Sequence, residues 1–360
     1  MMPPRAMQSD YMHWAKFKPS VRYALTGSEV PHFRLDSLPI GIADLDLDGA
    51  SHPRYAPLRE RIARRYGVSI DQVVAADGTS MANFLAIATL IEPGDEVLVE
   101  QPTYELLLGA ASFLGARIKR FERKASEAFR LDSAQVERAL TNDTRLIVIT
   151  NLHNPSGALA TEAELRSVGD VAARVGARVL VDEVYLDAVV PQPRSAVHLG
   201  PAFVITNSLT KVYGLSGLRC GWVLSEPELA ERMWRLNDLF AVNQAHPAER
   251  LACIAFDHLD DVIGDVPVML GRNRDLFNDF VESRSDLECK PARHGITAFP
   301  RWAGGDTQRL DAHLRSHYDA SFVPGRWFEM ADHFRIGFGF ASNEFAEALE
   351  RLGRGLDDLK

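Results

Sequence analysis

The sequence predicts an α/β fold, in which a large domain with a mostly parallel sheet covered by helices on both faces is joined to a smaller α+β domain. Two observations carry this prediction. From residue 51 onward, short apolar runs alternate with helical patterns, and strands that are apolar throughout are typical of a parallel sheet buried on both faces. After Glu228 the alternation weakens, which indicates a second architecture in the last third of the chain.

The elements of the large domain follow one another in regular order. Residues 58–66, 81–91 and 162–175 carry apolar side chains at helical spacing, and residues 97–99, 145–150, 178–182 and 203–206 form short apolar strand patterns. Helical patterns then cover residues 228–240, a stretch ending at 258, and 266–282, followed by strand patterns at 295–302 and 334–340 and a helix at 343–352. We expect residues 41–240 to form the large domain and residues 1–40 and 241–360 to form the small one.

Composition narrows the class of protein. The chain has 360 residues, of which 46% are hydrophobic and 25% charged, and its formal net charge of −9 argues against a nucleic-acid partner. The N-terminus lacks an apolar signal-peptide core, and no uncharged run approaches the length of a membrane span. Three cysteines without a close-spaced pair indicate neither a disulfide framework nor a zinc ribbon. A cytoplasmic location is therefore expected.

One segment indicates the chemistry. Between Ser208 and Gly221, Lys211 stands among hydroxyls and glycines, with Arg219 eight residues further on. A lysine near a fixed cation and partly removed from water loses its proton more readily and can form a Schiff base with a carbonyl compound. The segment therefore predicts a reactive amine.

Polar residues follow three of the predicted strands. Asn154 comes after strand 145–150, Asp182 and Tyr185 come at and after strand 178–182, and Lys211 comes after strand 203–206. Because ligands of an open parallel sheet bind at the carboxyl ends of its strands, we expect these four side chains to face one cleft.

At these positions the chain resembles the class I/II aminotransferases, which are pyridoxal-phosphate enzymes of fold type I. The resemblance extends from about Tyr55 to Arg335 and consists of seven short motifs in the family's order and approximate spacing. They are Gly78-Thr79-Ser80, Pro102-Thr103-Tyr104, Asn154-Pro155-Ser156-Gly157, Asp182-Glu183-Val184-Tyr185, Ser208-Leu209-Thr210-Lys211, Arg219-Cys220-Gly221 and Arg335-Ile336-Gly337.

The resemblance implies a role for each residue around the cofactor ring. Lys211 would hold pyridoxal 5'-phosphate as a Schiff base and later move a proton as a general base. Asp182 would pair with the pyridine nitrogen and keep the ring cationic. Asn154 and Tyr185 would donate hydrogen bonds to the ring oxygen, and Asn154 is also expected beside the substrate.

The resemblance also implies a phosphate cup, a stacking ring, a partner-facing tyrosine and a carboxylate site. The cup would consist of groups at a helix N-terminus and two residues near the lysine, namely Gly78, Thr79, Ser80, Ser208 and Arg219. Tyr104 would stack on the cofactor, and Tyr55 would reach the phosphate of a neighbouring subunit, which makes a homodimer the expected active unit. Arg335 would bind the substrate α-carboxylate through its planar fork.

Three functional hypotheses follow. The first is an aminotransferase that passes the amino group of an amino acid to a 2-oxo acid. The second is a pyridoxal-phosphate-dependent lyase, cyclase or oxidase of a biosynthetic pathway, because the cofactor supplies the same electronics to all of these reactions. The third is a non-catalytic ligand-sensing module, which the sequence disfavours because we find no DNA-binding segment ahead of the arm.

Two regions bear on specificity, and one histidine pair bears on metal binding. Residues 39–46 stand near the point where the family has a substrate-side glycine, and the aromatic, basic residues 11–16 are expected either to line the pocket or to anchor the arm. His313 and His317 are four residues apart without a third ligand, so no metal site is expected. No second arginine can be assigned to a side-chain carboxylate, which leaves the amino donor open.

Overall fold

The computed structural model describes residues 5–360. Its helices are α1 (Asp10–Phe17), α2 (Ala56–Tyr66), α3 (Gly78–Leu90), α4 (Glu105–Phe113), α5 (Ser133–Ala139), α6 (Glu162–Ala173), α7 (Pro227–Asn237), α8 (His246–Asp257), α9 (Leu259–Ile263), α10 (Val266–Glu282), α11 (Thr307–Tyr318) and α12 (Ser342–Asp358). Within that described range, no helix is both long enough and apolar enough to cross a membrane.

The strands fall into one large sheet and several short pairings. They are β1 (Tyr23–Ala24), β2 (Val73–Asp77), β3 (Glu96–Gln101), β4 (Arg117–Glu122), β5 (Thr144–Thr150), β6 (Arg178–Asp182), β7 (Phe203–Ser208), β8 (Cys220–Leu224), β9 (Leu287–Glu288), β10 (Thr297–Ala298), β11 (Arg301–Trp302), β12 (Ala320–Ser321), β13 (Val323–Pro324) and β14 (Phe334–Gly337).

The large sheet has seven strands in the order β2-β8-β7-β6-β5-β3-β4. All neighbours from β7 to β4 run parallel, and only β8 runs antiparallel to the strands on either side of it. Every residue of β8 is buried, as is nearly every residue of β5 and β6, which places apolar packing on both faces of the sheet. The predicted mostly parallel α/β fold is confirmed.

The C-terminal part contains the small α+β region that the sequence predicts. Strand β14 is the centre of a three-stranded antiparallel sheet with β10 and β13, helix α11 packs against β13, and helix α12 packs against α10, α11 and β12. Strand β1 pairs with β12, so the N-terminal arm returns to this region. The domain boundary near residue 240 stays a prediction.

Candidate active site

The carboxyl ends of three neighbouring strands place the predicted residues together. Asp182 is the last residue of β6, Asn154 follows β5 by four residues, and Lys211 follows β7 by three. Arg335 of β14 reaches the same place, since its Nη1 donates to Asn154 Oδ1 at 3.1 Å. The structure therefore joins both parts of the fold at one cleft.

Lys211 lies in this cleft, with its amine near polar and charged side chains. Its Nζ lies 3.3 Å from Ser28 Oγ and 3.6 Å from Glu29 Oε2. Burial lowers the pKa of the Lys211 amine below its usual value, Glu29 acts in the opposite direction, and the Arg335 charge lowers the pKa further. The neutral, nucleophilic form is thus more accessible than on an ordinary surface lysine.

Asp182 is a buried carboxylate without a cationic partner. Its oxygens accept hydrogen bonds from Asn83 Nδ2 at 2.8 Å and from the Val184 N–H at 3.1 Å, and among residues 5–360 no basic side chain comes within salt-bridge distance. Burial raises the pKa of Asp182 to about 6, against the opposing effect of these hydrogen bonds. A carboxylate kept in such a place fits a ligand that brings a positive charge to it.

Arg335 is held rigidly and keeps one donor free. It is 1% exposed, and its Nη2 donates to the Thr26 carbonyl at 3.0 Å and to Tyr11 Oη at 3.3 Å. The buried Nε has no partner within the described chain. Because a buried N–H without an acceptor is unfavourable, the guanidinium fits a carboxylate ligand.

Two tyrosines line the cleft. Tyr185 is buried beside Ser28, and burial raises the pKa of its phenol to about 12, so its hydroxyl is a hydrogen-bond donor at neutral pH. Tyr104 precedes α4 and packs edge-on against Tyr11, with ring centroids 5.8 Å apart. Burial raises the pKa of Tyr104 as well.

The residues assigned to the phosphate cup meet at the start of α3. The helix begins at Gly78, which places Gly78, Thr79 and Ser80 in its first turn rather than before it. Thr79 Oγ1 donates to Ser208 Oγ at 2.8 Å. These hydroxyls and the N–H groups of the first turn form a site that suits an anion.

The guanidinium of Arg219 lies against the start of α3, beside these groups. Its Nη2 donates to the Asp77 carbonyl at 3.1 Å, and a Cβ on Gly78 would lie only 2.5 Å from that same Nη2. Gly78 has a φ of +80°, so glycine is required there both by the backbone and by the close approach of the guanidinium.

Tyr55 lies apart from the residues that surround Lys211. Its ring packs edge-on against His246 at 4.9 Å, and its hydroxyl accepts from Arg250 Nη1 at 3.4 Å. In this chain, therefore, the hydroxyl belongs to a cluster between α2 and α8.

Sequence reasoning missed three residues that touch the site: Asn83, Ser28 and Glu29. Asn83 was detectable as the one amide in the apolar pattern of α3. Tyr11 belongs to residues 11–16, for which lining the pocket is one of the two expected roles, and its hydroxyl accepts from Arg335. Ser28 and Glu29 belong to residues 25–30, which lie against Lys211, whereas Gly41 only begins a short 3₁₀ turn at residues 42–45.

His153 supports the site without facing it. Its Nε2 donates to the Pro102 carbonyl at 2.9 Å, its Nδ1 lies 2.6 Å from Ser156 Oγ, and burial lowers the pKa of the imidazole well below its usual value. The neutral ring ties the turn that carries Asn154 to the loop that carries Tyr104.

Two groups of histidines lie away from Lys211, and each contacts acidic side chains. His313 stacks on His317 and lies 2.8 Å from Asp358. Within residues 5–360, the one group with metal-compatible spacing is Asp46, His52 and His246. His246 lies 3.3 Å from Asp46 and 3.4 Å from Glu249.

Comparison with known proteins gives one family. The family described as aminotransferase class I and II matches residues 48–352. Capreomycidine synthase of Streptomyces vinaceus is 32% identical over 304 residues, which is 83% of this chain and 78% of that protein. An arginine–pyruvate transaminase of Pseudomonas aeruginosa is 27% identical over 337 residues, 87% of this chain and 85% of that protein.

A solved structure shows the same fold. The pyridoxal-phosphate-dependent aminotransferase of Streptococcus suis superposes with a TM-score of 0.89 and 23% identity, covering 97% of each chain. Together with the match over most of the sequence, this confirms the family and the cofactor that the motifs predict. The chain belongs to the class I and II aminotransferases, and its cofactor is pyridoxal 5'-phosphate.

Proposed function

We propose that the protein is a transaminase that transfers the amino group of an amino acid to a 2-oxo acid, with Lys211 as the residue that holds the cofactor and moves the proton. The observation that carries the proposal is that Lys211 shares one end of the sheet with Asp182 and Arg335, two groups suited to opposite charges. Asp182 suits the cationic ring nitrogen, and Arg335 suits the substrate carboxylate.

Lys211 has two tasks in this mechanism. Its lowered pKa makes the neutral amine available for the covalent bond with the cofactor aldehyde. With cofactor and substrate bound, the Lys211 amine would be the base that moves the proton of the substrate α-carbon. Ser28, 3.3 Å from Nζ, orients the amine for this transfer.

The residues at the strand ends set the charge of the ring. When bound, pyridoxal phosphate supplies an electron sink for the electrons left at the α-carbon. Asp182 would stabilise the protonated ring nitrogen, and Asn83 keeps the carboxylate oriented through its 2.8 Å hydrogen bond. Tyr185 and Asn154 would donate to the ring oxygen, and the high pKa of Tyr185 keeps its proton in place for this purpose.

The substrate carboxylate and the cofactor phosphate would be held by two separate groups of residues. Arg335 would receive the α-carboxylate through its unpartnered Nε, while its other donors remain on Asn154, Tyr11 and Thr26. Thr79, Ser208 and Arg219 would hold the phosphate together with the first turn of α3, and Tyr104 would cover the ring.

A second candidate keeps the cofactor and changes the bond that breaks. The relative with 32% identity is named as a synthase and not as a transaminase, and Lys211, Asp182 and the cup would serve a lyase, cyclase or oxidase equally well. Formation of 2-oxo acid together with the aminated cofactor in one half-reaction distinguishes transamination from these reactions.

The assembly and location are also proposals. We infer a homodimer in which Tyr55 serves the phosphate cup of the other subunit, because Tyr55 lies apart from the residues around Lys211 of its own chain and the cup has an exposed side at Arg219. A cytoplasmic location is supported by Cys220, Cys253 and Cys289, which are all unpaired thiols.

The proposed role of Lys211 is tested by chemical labelling. Protein purified with pyridoxal phosphate should absorb in the visible range, and borohydride should bleach it and leave the cofactor on the Lys211 peptide in mass spectrometry. Lys211→Ala should lower turnover at least about 1,000-fold, because it removes both the covalent anchor and the base. A label on another lysine, or turnover that survives in Lys211→Ala, would contradict the assignment.

A further inference from the structure

Residues 25–30 form a strap whose backbone is fixed on both sides of the cleft. The Val30 N–H donates to the Lys211 carbonyl at 3.0 Å, and the Gly337 N–H donates to the Leu25 carbonyl at 2.9 Å. The strap lies close against β14, since a Cβ on Gly337 would lie 1.9 Å from the carbonyl oxygen of Gly27. Side chains of the strap are therefore presented to the site from a rigid backbone.

Glu29 directs its carboxylate from this strap towards Lys211. Its Oε2 lies 3.6 Å from Lys211 Nζ, and its side chain is 35% exposed. Among the residues that the structure describes, Lys211 is the one cation within salt-bridge distance of Glu29. The carboxylate thus borders both the reactive amine and the open side of the cleft.

The charge balance of the site changes once the cofactor is bound. The Lys211 amine would then be held in the bond to the cofactor and no longer be a free ammonium group, and Arg335 would be engaged with Asn154, Tyr11, Thr26 and the substrate α-carboxylate. Among the described residues, Glu29 would have no other cationic side chain within salt-bridge distance. A second carboxylate on the substrate would meet this negative charge directly.

We infer that Glu29 recognises the side chain of the amino donor and that this side chain is cationic, a guanidinium or an ammonium group. The inference rests on the proposed transaminase function. Glu29 supplies the counter-charge for a basic amino acid and disfavours dicarboxylic amino acids by repulsion.

A different role for Glu29 would be to adjust the basicity of Lys211 alone. In that case its replacement affects every amino donor to the same extent, because every donor uses the same lysine. Recognition of a cationic side chain instead affects only donors that carry the charge. The two roles separate when charged and neutral donors of the same shape are compared.

The test uses two matched pairs of amino acids on the cofactor-loaded enzyme. Arginine is compared with citrulline, and ornithine with norleucine, and the half-reaction is followed by cofactor absorbance in wild type, Glu29→Gln, Glu29→Asp and the exposed control Asp36→Asn. Wild type and the control should prefer the charged donor about 10- to 100-fold in kcat/KM, which is the range for a hydrogen bond to a charged group. Glu29→Gln should reduce the preference to near unity, chiefly through KM, and Glu29→Asp should retain part of it.

A binding measurement separates this inference from the proposed function. The same pairs are titrated by calorimetry into the cofactor-loaded Lys211→Ala variant, with and without Glu29→Gln. If arginine binds more tightly than citrulline and this difference depends on Glu29, the inference is supported, whether or not a half-reaction occurs. The absence of any half-reaction would overturn the transaminase proposal and not the role of Glu29. The role of Glu29 would be overturned if Glu29→Gln lowered kcat/KM equally for all donors. It would also be overturned if the wild type preferred neutral or dicarboxylic donors.

Discussion

At the scale of single residues, the site depends on polar groups that are kept in apolar surroundings. Asn83 illustrates this, because it donates to Asp182 at 2.8 Å and accepts from Thr206 Oγ1 at 2.6 Å. All three side chains are buried, so a single replacement leaves a partner unsatisfied. The orientation of Asp182 is thus fixed by a residue on a different element.

Glu183, next to Asp182, gives a pH-dependent prediction. It is fully buried, its Oε1 accepts from the Ala196 N–H at 2.8 Å, and its Oε2 has no partner within the described chain. Burial raises the pKa of Glu183 from 4.5 to about 8, with Asp187 and Asp182 adding to the effect of burial. The folded protein therefore holds a proton that the unfolded chain has lost between these two pH values.

The sign of the effect follows from this proton. The stabilising contribution is full below pH 4.5 and is lost as the pH rises to about 8, with a limiting slope of about 1.4 kcal/mol per pH unit. We expect Glu183→Gln to flatten the pH dependence of the urea midpoint over this window, whereas Glu228→Gln at an exposed position should leave it unchanged. A variant that keeps the wild-type slope would show that Glu183 is not the group that titrates.

At the scale of elements, the sequence predicts β5, β6 and β7 of the large sheet closely and misses β2, β4 and β8. Strands β5, β6 and β7 lie close to the predicted limits because their residues are buried on both faces. Strand β4 was missed because it lies at the sheet edge and consists mainly of charged residues, Arg117-Ile118-Lys119-Arg120-Phe121-Glu122. Its place in the sheet comes from pairing with β3, and this pairing cannot be predicted from the residues of β4 alone.

In the site, too, some residues could be predicted from local sequence patterns and others could not. Residues in strand-end motifs could be predicted because the parallel topology brings strand ends together. Glu29 could not, because its strap has no regular secondary structure at residues 26–30 and reaches Lys211 through contacts about 180 positions apart along the chain. Only tertiary packing brings these groups into contact.

The first turn of α3 gives a prediction at this scale. Gly78 and Gly94 both have positive φ, +80° and +97°, but a Cβ would meet Arg219 only at Gly78 and open space at Gly94. Gly78→Ala and Gly94→Ala should therefore each lower the free energy of unfolding by about 1 kcal/mol through backbone strain. Only Gly78→Ala should also displace the guanidinium and raise the dissociation constant of pyridoxal phosphate about tenfold or more.

The measurement is a fluorescence titration of apoenzyme with pyridoxal phosphate, accompanied by thermal melts of both variants. Comparable cofactor affinities in Gly78→Ala and Gly94→Ala would argue that Arg219 does not hold the phosphate.

At the scale of the whole molecule, the phosphate cup has an open side. Arg219 is exposed, and next to it lies a cavity of about 320 Å³ that extends to Ala245 and Glu249 at the start of α8. An exposed anion site is weakened by water and salt. A second subunit that covers this side would strengthen it, which is the physical reason for proposing that Tyr55 acts across a dimer interface.

The final prediction tests this arrangement with mixed subunits. Tyr55→Phe should lower cofactor affinity about 10- to 100-fold, because it removes a hydrogen bond to a charged phosphate, and Lys211→Ala should be inactive. A hybrid dimer contains one intact site, made of Lys211 from the first variant and Tyr55 from the second. At a cofactor concentration that saturates only the wild type, random 1:1 mixing should restore about a quarter of wild-type turnover. Light scattering establishes the dimer independently, and a dimer whose mixed variants show no recovery would place Tyr55 outside the partner's site.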